Sequence, residues 1–194
     1  MLYTIGHSTH SIDYFLEMLL HYQVSCVVDV RSLPASRFNP QYNKKALSRS
    51  LEDRGIVYQH FPDEFGARLS DTRVLDEDGR VDFAKVRNSK PFTNGVERLS
   101  KTIWDGHTVA LMCSEADPLS CHRFAMISPA LKHFEIRHIL KDKTTITQQE
   151  LEESLLKQYA KKLPQKTLFE SPSRDELLNE AFRLLNREVA YSPK

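Results

Sequence analysis

Cys26-Val27-Val28-Asp29-Val30 is apolar at every position but one, and the fold turns on how it is read. A strand with no polar face is covered on both sides, and such strands belong mostly to parallel sheets. On its N-terminal side, Ile12, Phe15, Leu16, Leu19 and Leu20 recur at helical spacing over residues 12–22, with Ser11 in capping position. Residues 2–5 form a short β-prone run before that helix, ended by Gly6, His7 and Ser8. The three segments read as a βαβ unit.

Toward the C-terminus the alternation continues. A loop bearing Pro and Asn spans 33–43, a basic helix spans 44–54 and Gly55 closes it. Residues 56–61 read as a third strand, and the acid-rich excursion 62–82 as a surface insertion. Helical stretches over 82–104, broken near Pro91, lead through Asp105-Gly106 to a fourth strand at 108–113. A helix over 118–133 and a fifth strand at 136–140 complete the pattern. The expected architecture is therefore a three-layer, Rossmann-like α/β domain with a parallel sheet over residues 1–145. A C-terminal helical extension, 146–194, follows. Thr147 with Glu150, and Ser173 with Glu176, are capping-box signatures for its two helices.

Composition bounds the function. The chain has 194 residues, 27 Lys and Arg against 26 Asp and Glu, and a net charge of +1, which gives no bulk attraction to DNA or membrane. A local excess exists nonetheless. Between Val30 and Arg54 six basic residues face only Glu52 and Asp53, with Phe38 and Tyr42 among them, an arrangement suited to unpaired bases. No apolar run is long enough to span a bilayer and residues 1–9 lack the zones of an export signal, so the expectation is a cytoplasmic protein with no membrane partner. Three cysteines make no secreted disulfide framework.

Ligands of parallel α/β sheets gather beyond the carboxyl ends of the strands. Three unusually polar stretches stand there: Gly6, His7, Ser8 and Thr9; Asp29, Arg31, Ser36 and Arg37; and Cys113-Ser-Glu115 with Cys121-His122-Arg123. Gly6, Ser8 and Thr9 offer backbone and hydroxyl donors to an anion, or simply cap a helix. Asp29 and Arg31 read as an ion pair, and Arg37 as a guanidinium fork for phosphate. The third stretch supports three readings. Cys113, Cys121 and His122 have metal-binding atoms, but their intervals match no standard zinc pattern and the fourth ligand is unspecified, so no metal or other cofactor is assigned. Cys121, beside His122 and Arg123, suits a thiol enzyme, although the phosphatase C-x5-R spacing fails at Leu119. Glu115 suits a carboxylate enzyme, with Arg123 holding an anionic substrate and His7 or His122 moving protons.

Thr4-Ile-Gly-His-Ser-Thr9, Asp29-Val-Arg31 with Pro34 and Ser36-Arg37, and the stretch from Cys113 to Arg123 together resemble the bacterial family called domain of unknown function 488, over residues 2 to about 140. The usual Leu-Gly-Gly of that family is here Glu64-Phe-Gly66. The resemblance implies a family without an assigned activity, some branches of which lack the cysteines. Separately, Gln165-Lys-Thr-Leu-Phe169 resembles the Gln-Leu-x-Leu-Phe pentapeptide of proteins that grip the bacterial sliding clamp, which implies clamp contacts through Gln165, Leu168 and Phe169. The competing reading folds Leu168 and Phe169 onto the core.

These residues lead to an expected enzyme acting on a nucleotide or on a base in DNA. It would be a hydrolase or transferase at N-glycosidic bonds in base repair or modification. Glu115 would serve the sugar carbon, an arginine the phosphate, and Gly6, Ser8, Thr9, Asp29, Ser36, Phe38, Cys113 and Cys121 the substrate pocket. A non-catalytic nucleotide or nucleic-acid sensor, and a thiol or metal redox enzyme, are the alternatives.

Overall fold

The computed structural model describes residues 1–166 and 171–193. A six-stranded sheet, ordered β3-β2-β4-β1-β5-β6, runs through its centre. The strands are β1 (Leu2–Gly6), β2 (Cys26–Asp29), β3 (Val57–His60), β4 (Val109–Cys113), β5 (Ile136–Ile139) and β6 (Thr145–Thr147). β1 to β5 are parallel, and β6 is an antiparallel edge strand beside β5. Alternation along the strands divides their side chains between two cores. Cys26, Val28, Leu111 and Cys113 face one, whereas Val27, Ala110 and Met112 face the other. The two-sided burial expected of residues 26–30 is thus realised, because a helical layer covers each face.

The smaller core is closed by α1 (Ile12–His21) and α2 (Lys44–Glu52). In α1 the buried set is Phe15, Leu16, Met18 and Leu19, while Leu20 is 42% exposed. Met18 is buried in its place, so the expected inclusion of Leu20 is corrected. The larger core is covered by α3 (Pro62–Phe65), α4 (Phe83–Arg87), α5 (Lys90–Trp104), α6 (Gln148–Tyr159) and α7 (Arg174–Val189).

Three expectations change. The excursion 62–82 is docked rather than superficial: Phe65, Val74 and Val81 are buried, and the Val81 amide donates to the Tyr191 carbonyl. Its widely spaced apolar residues are anchors hidden among acids. No regular helix fills 118–133. The chain makes a 3₁₀ turn at Pro118–Ser120, a π-helical turn at Arg123–Ile127 and another 3₁₀ turn at Ser128–Ala130. Cys121 is extended, at φ −134° and ψ 141°, which breaks the chain after its first turn; Pro129 supplies no amide further on, and the Ser128 hydroxyl and amide both turn back to the Arg123 carbonyl. Finally, β6 precedes α6, a strand the sequence reading lacks.

Both capping boxes form, Thr147 with Glu150 and Ser173 with Glu176. The helices they start bury Leu151, Leu155, Tyr159, Ala181 and Leu185 in the same core as Val28 and Leu111. No described helix is long and apolar enough to cross a membrane.

Candidate functional site

The carboxyl ends of β1, β2 and β4 lie side by side, so the three polar stretches meet. β1 enters first. Gly6 pairs with Cys113 across the sheet, and a Cβ there would stand 1.8 Å from the Glu115 carbonyl oxygen. Only glycine lets the loop after β4 cross so closely. The next amides, those of His7 and Ser8, donate to the Cys113 and Ser114 carbonyls at 2.9 Å. Gly6 is therefore a packing residue, and the Ser8 amide, expected to meet an anion, is already engaged. Ser8, at φ 48°, and Thr9 retain hydroxyls toward the cleft described below.

β2 delivers Asp29 and Arg31 as the expected ion pair, here buried. Arg31 Nη2 donates to Asp29 Oδ2 at 2.6 Å, Nε to Oδ1 at 2.9 Å, and the Tyr58 hydroxyl donates to Oδ2 at 2.8 Å. Asp29 is thus an anchor, fully engaged from behind. Arg31 also donates to the Tyr42 carbonyl and, through Nη1, to His7 Nε2 at 3.2 Å. His7 in turn donates from Nδ1 to the Ser8 carbonyl and stacks on the Tyr42 ring at 4.0 Å. Burial, helped by the Arg31 charge, lowers the His7 pKa to about 4, so its ring is neutral at pH 7 and fits orientation of Arg31 better than proton donation.

The loop after β2 brings Ser36 to the cleft, its hydroxyl accepting from the Phe38 and Asn39 amides. Arg37 and Phe38 point elsewhere. Both are exposed, Phe38 by 94%, and neither lines the cleft. The cleft itself holds about 330 Å³ between His7, Ser8, Thr9, Arg31, Ser36 and Glu115.

Glu115 forms its wall and also joins a buried cluster. Cys113 Sγ donates to Glu115 Oε2 at 2.8 Å, and Cys121 Sγ to the same oxygen at 3.2 Å. His122 Nδ1 stands 3.6 Å from the Cys113 sulfur and 3.8 Å from that of Cys121. The other ring nitrogen, Nε2, donates to the Val30 carbonyl at 3.1 Å. One ligand atom from each of the four residues lies within 4.8 Å of every other. Burial drives the Cys113 thiol well up. At Cys121 burial is outweighed by the Cys113 hydrogen bond and the Arg123 and His122 charges, so that thiol is held well below its ordinary range. Cys26, at the far end of β2, is raised by burial to about 11 and is inert.

Arg123 is not a substrate arginine. It is fully buried, donating from Nη1 to the Glu115 carbonyl at 2.6 Å, from Nη2 to the Ala116 carbonyl at 3.0 Å and from Nε to the Thr4 hydroxyl. It clamps the loop that carries Glu115. Tyr42, Tyr58 and the Thr4–His138 pair support this machinery in ways the sequence does not show: Tyr42, read there as a stacking group for bases, packs on His7 and accepts from Arg31, and nothing near these residues in the chain marks their partners. In the link between α6 and α7, the Gln165 side-chain amide donates to the Ala160 and Leu163 carbonyls, while Leu168 and Phe169 lie outside the described residues.

The fold and site define a doubly covered, mostly parallel-sheet α/β protein with a polar cleft at the strand ends and, joined to it through Glu115, a thiol–imidazole–carboxylate cluster. The chain belongs to the family described as Domain of unknown function DUF488, which it matches over residues 11–128, more than half its length. No curated protein and no solved structure matches it.

Proposed function

We propose that this protein is an enzyme acting on a nucleotide, or on a nucleotide unit of DNA, by hydrolysis or transfer at an N-glycosidic bond. The observation that supports this most is the placing of one carboxylate, Glu115, across a cleft of about 330 Å³ from the guanidinium of Arg31. That volume suits a small ligand such as a nucleotide. Among the described residues Glu115 is the sole acid in the lining, against the hydroxyls of Ser8, Thr9 and Ser36. In this reading Arg31 holds phosphate, the hydroxyls hold ribose, and Glu115 stabilises positive charge at the sugar carbon or takes a proton from attacking water. His7 and His122 are positioning groups rather than proton carriers, because hydrogen bonds engage both His7 nitrogens and hold His122 to Val30. Arg37 and Phe38, on the open surface, offer charge and stacking to a longer strand.

Incubation with free nucleosides, nucleotides and oligonucleotides bearing damaged bases, read as released base, tests the proposal. Glu115→Gln is expected to slow release by about 100-fold or more. Equal release by variant and wild type, or none by either, overturns it.

A sliding clamp is the proposed tether, through Gln165, Leu168 and Phe169, and would bring such an enzyme to DNA in the cytoplasm. Co-elution with the clamp, lost on Phe169→Ala, is the expected result; unchanged co-elution, or none with the wild type, counts against it.

A further inference from the structure

We propose that Cys113, Cys121 and His122 bind one zinc ion, with the fourth coordination position opening toward Glu115 and the cleft. This site is independent of the N-glycosidic reading and rests on the cluster alone.

Both sulfur–nitrogen separations are those of neighbouring corners of a tetrahedron. Zinc–sulfur bonds of about 2.3 Å and zinc–nitrogen bonds of about 2.0 Å place sulfur and nitrogen ligands about 3.5 Å apart. His122 Nδ1 lies 3.6 Å from the Cys113 sulfur and 3.8 Å from that of Cys121. These distances also suit weak sulfur–imidazole hydrogen bonds, and they match the spacing of ligands that share an ion. The imidazole is also set for ligation. Its Nε2–H donates to the Val30 carbonyl, which leaves the Nδ1 lone pair directed at the two sulfurs. Glu115 Oε2 approaches both sulfurs more closely, at 2.8 and 3.2 Å, inside the spacing of a ligand shell. Metal entry removes the two S–H donors that draw the carboxylate inward, and Glu115 then faces the fourth position from the cleft side.

Charge is compatible with the ion. Arg123 is fully buried, and among the described residues its guanidinium meets two carbonyls and a hydroxyl but no carboxylate side chain. A buried cation of this kind calls for a compensating anion. Zinc and two thiolates are neutral together, leaving Glu115 to balance Arg123. Thiolate and imidazole donors with one oxygen neighbour select zinc over magnesium or calcium. Binding takes both sulfurs as thiolates and Nδ1 as a bare lone pair, and the protons these groups still carry pass to solvent, so the step is balanced without any oxidant.

The test needs no substrate, so its failure is separate from that of the proposed activity. Reduced, full-length protein is stripped with chelator and titrated with Zn²⁺ in weak buffer, then with Co²⁺ under absorbance. Saturation at about one ion per chain, proton release, and a thiolate-to-cobalt charge-transfer band are expected. Cys121→Ser and Cys113→Ser should weaken zinc binding by at least about tenfold, the usual scale for losing a group at a metal site. The wild-type titration keeps the proposal falsifiable if either variant misfolds. No saturable zinc binding by the reduced wild type overturns it. So does a cobalt spectrum without thiolate character, or zinc binding unchanged in both serine variants.

Discussion

At the scale of single residues, the candidate site is held by buried groups with narrow tolerances. The clearest is Gly6, where a methyl group would stand 1.8 Å from the Glu115 carbonyl oxygen and 2.7 Å from its carbon. Both are backbone atoms, so no rotamer change relieves the clash. Gly6→Ala is expected to destabilise the protein by about 2 kcal/mol or more and to displace the Glu115 loop. Chemical denaturation checks the first; a wild-type midpoint in the variant would refute the packing account. In the sequence, Gly6 stands out as a place for an anion near the backbone; in the fold it matters for close packing instead. The same holds for Arg123, singled out as a phosphate group and found as a buried clamp. Residue type announces chemical capacity, whereas use depends on which neighbours the fold supplies.

Among elements, those with one dominant period were readable and those with local conflicts were not. β2 and β4 carry uninterrupted apolar runs, and α6 and α7 carry capping boxes that form as expected. The segment 118–133 has helix-compatible side chains, yet the extended Cys121 and Pro129 divide it into 3₁₀ and π turns. That division turns Cys121, His122 and Arg123 inward behind the end of β4. The two C-terminal helices were read as an extension, but Leu155 on α6 is fully buried in the core shared with the sheet. Leu155→Ala should therefore cost about 2–5 kcal/mol and lower a single cooperative transition. A separate early transition of the helices, with the sheet's melting unchanged, would show instead that they are an independent appendage.

The whole molecule adds a dependence on pH. Burial lowers the His138 pKa to about 3 and that of His7 to about 4, against an ordinary value of 6.5. Each folded-state pKa lies below its unfolded value, so the unfolded chain binds more protons between them. The stability that neutral rings contribute is fully present above pH 6.5 and is lost as pH falls toward 4, at up to about 1.4 kcal/mol per pH unit for each ring. Thermal melting between pH 7 and 4 should show this fall, and His138→Gln should flatten it even if its neutral-pH melting temperature is lower. An unchanged slope in the variant would contradict the assignment to His138. From the order of residues alone came the alternating α/β architecture, the buried character of residues 26–30, the helix caps and the three polar stretches, because each is written in local periodicity or adjacent side chains. Tertiary structure alone decided that Arg37 and Phe38 stay outside the cleft and that Arg123 is buried. It also brought Glu115 to the two thiols and His122, since these depend on strand order and on turns whose partners are far apart along the chain.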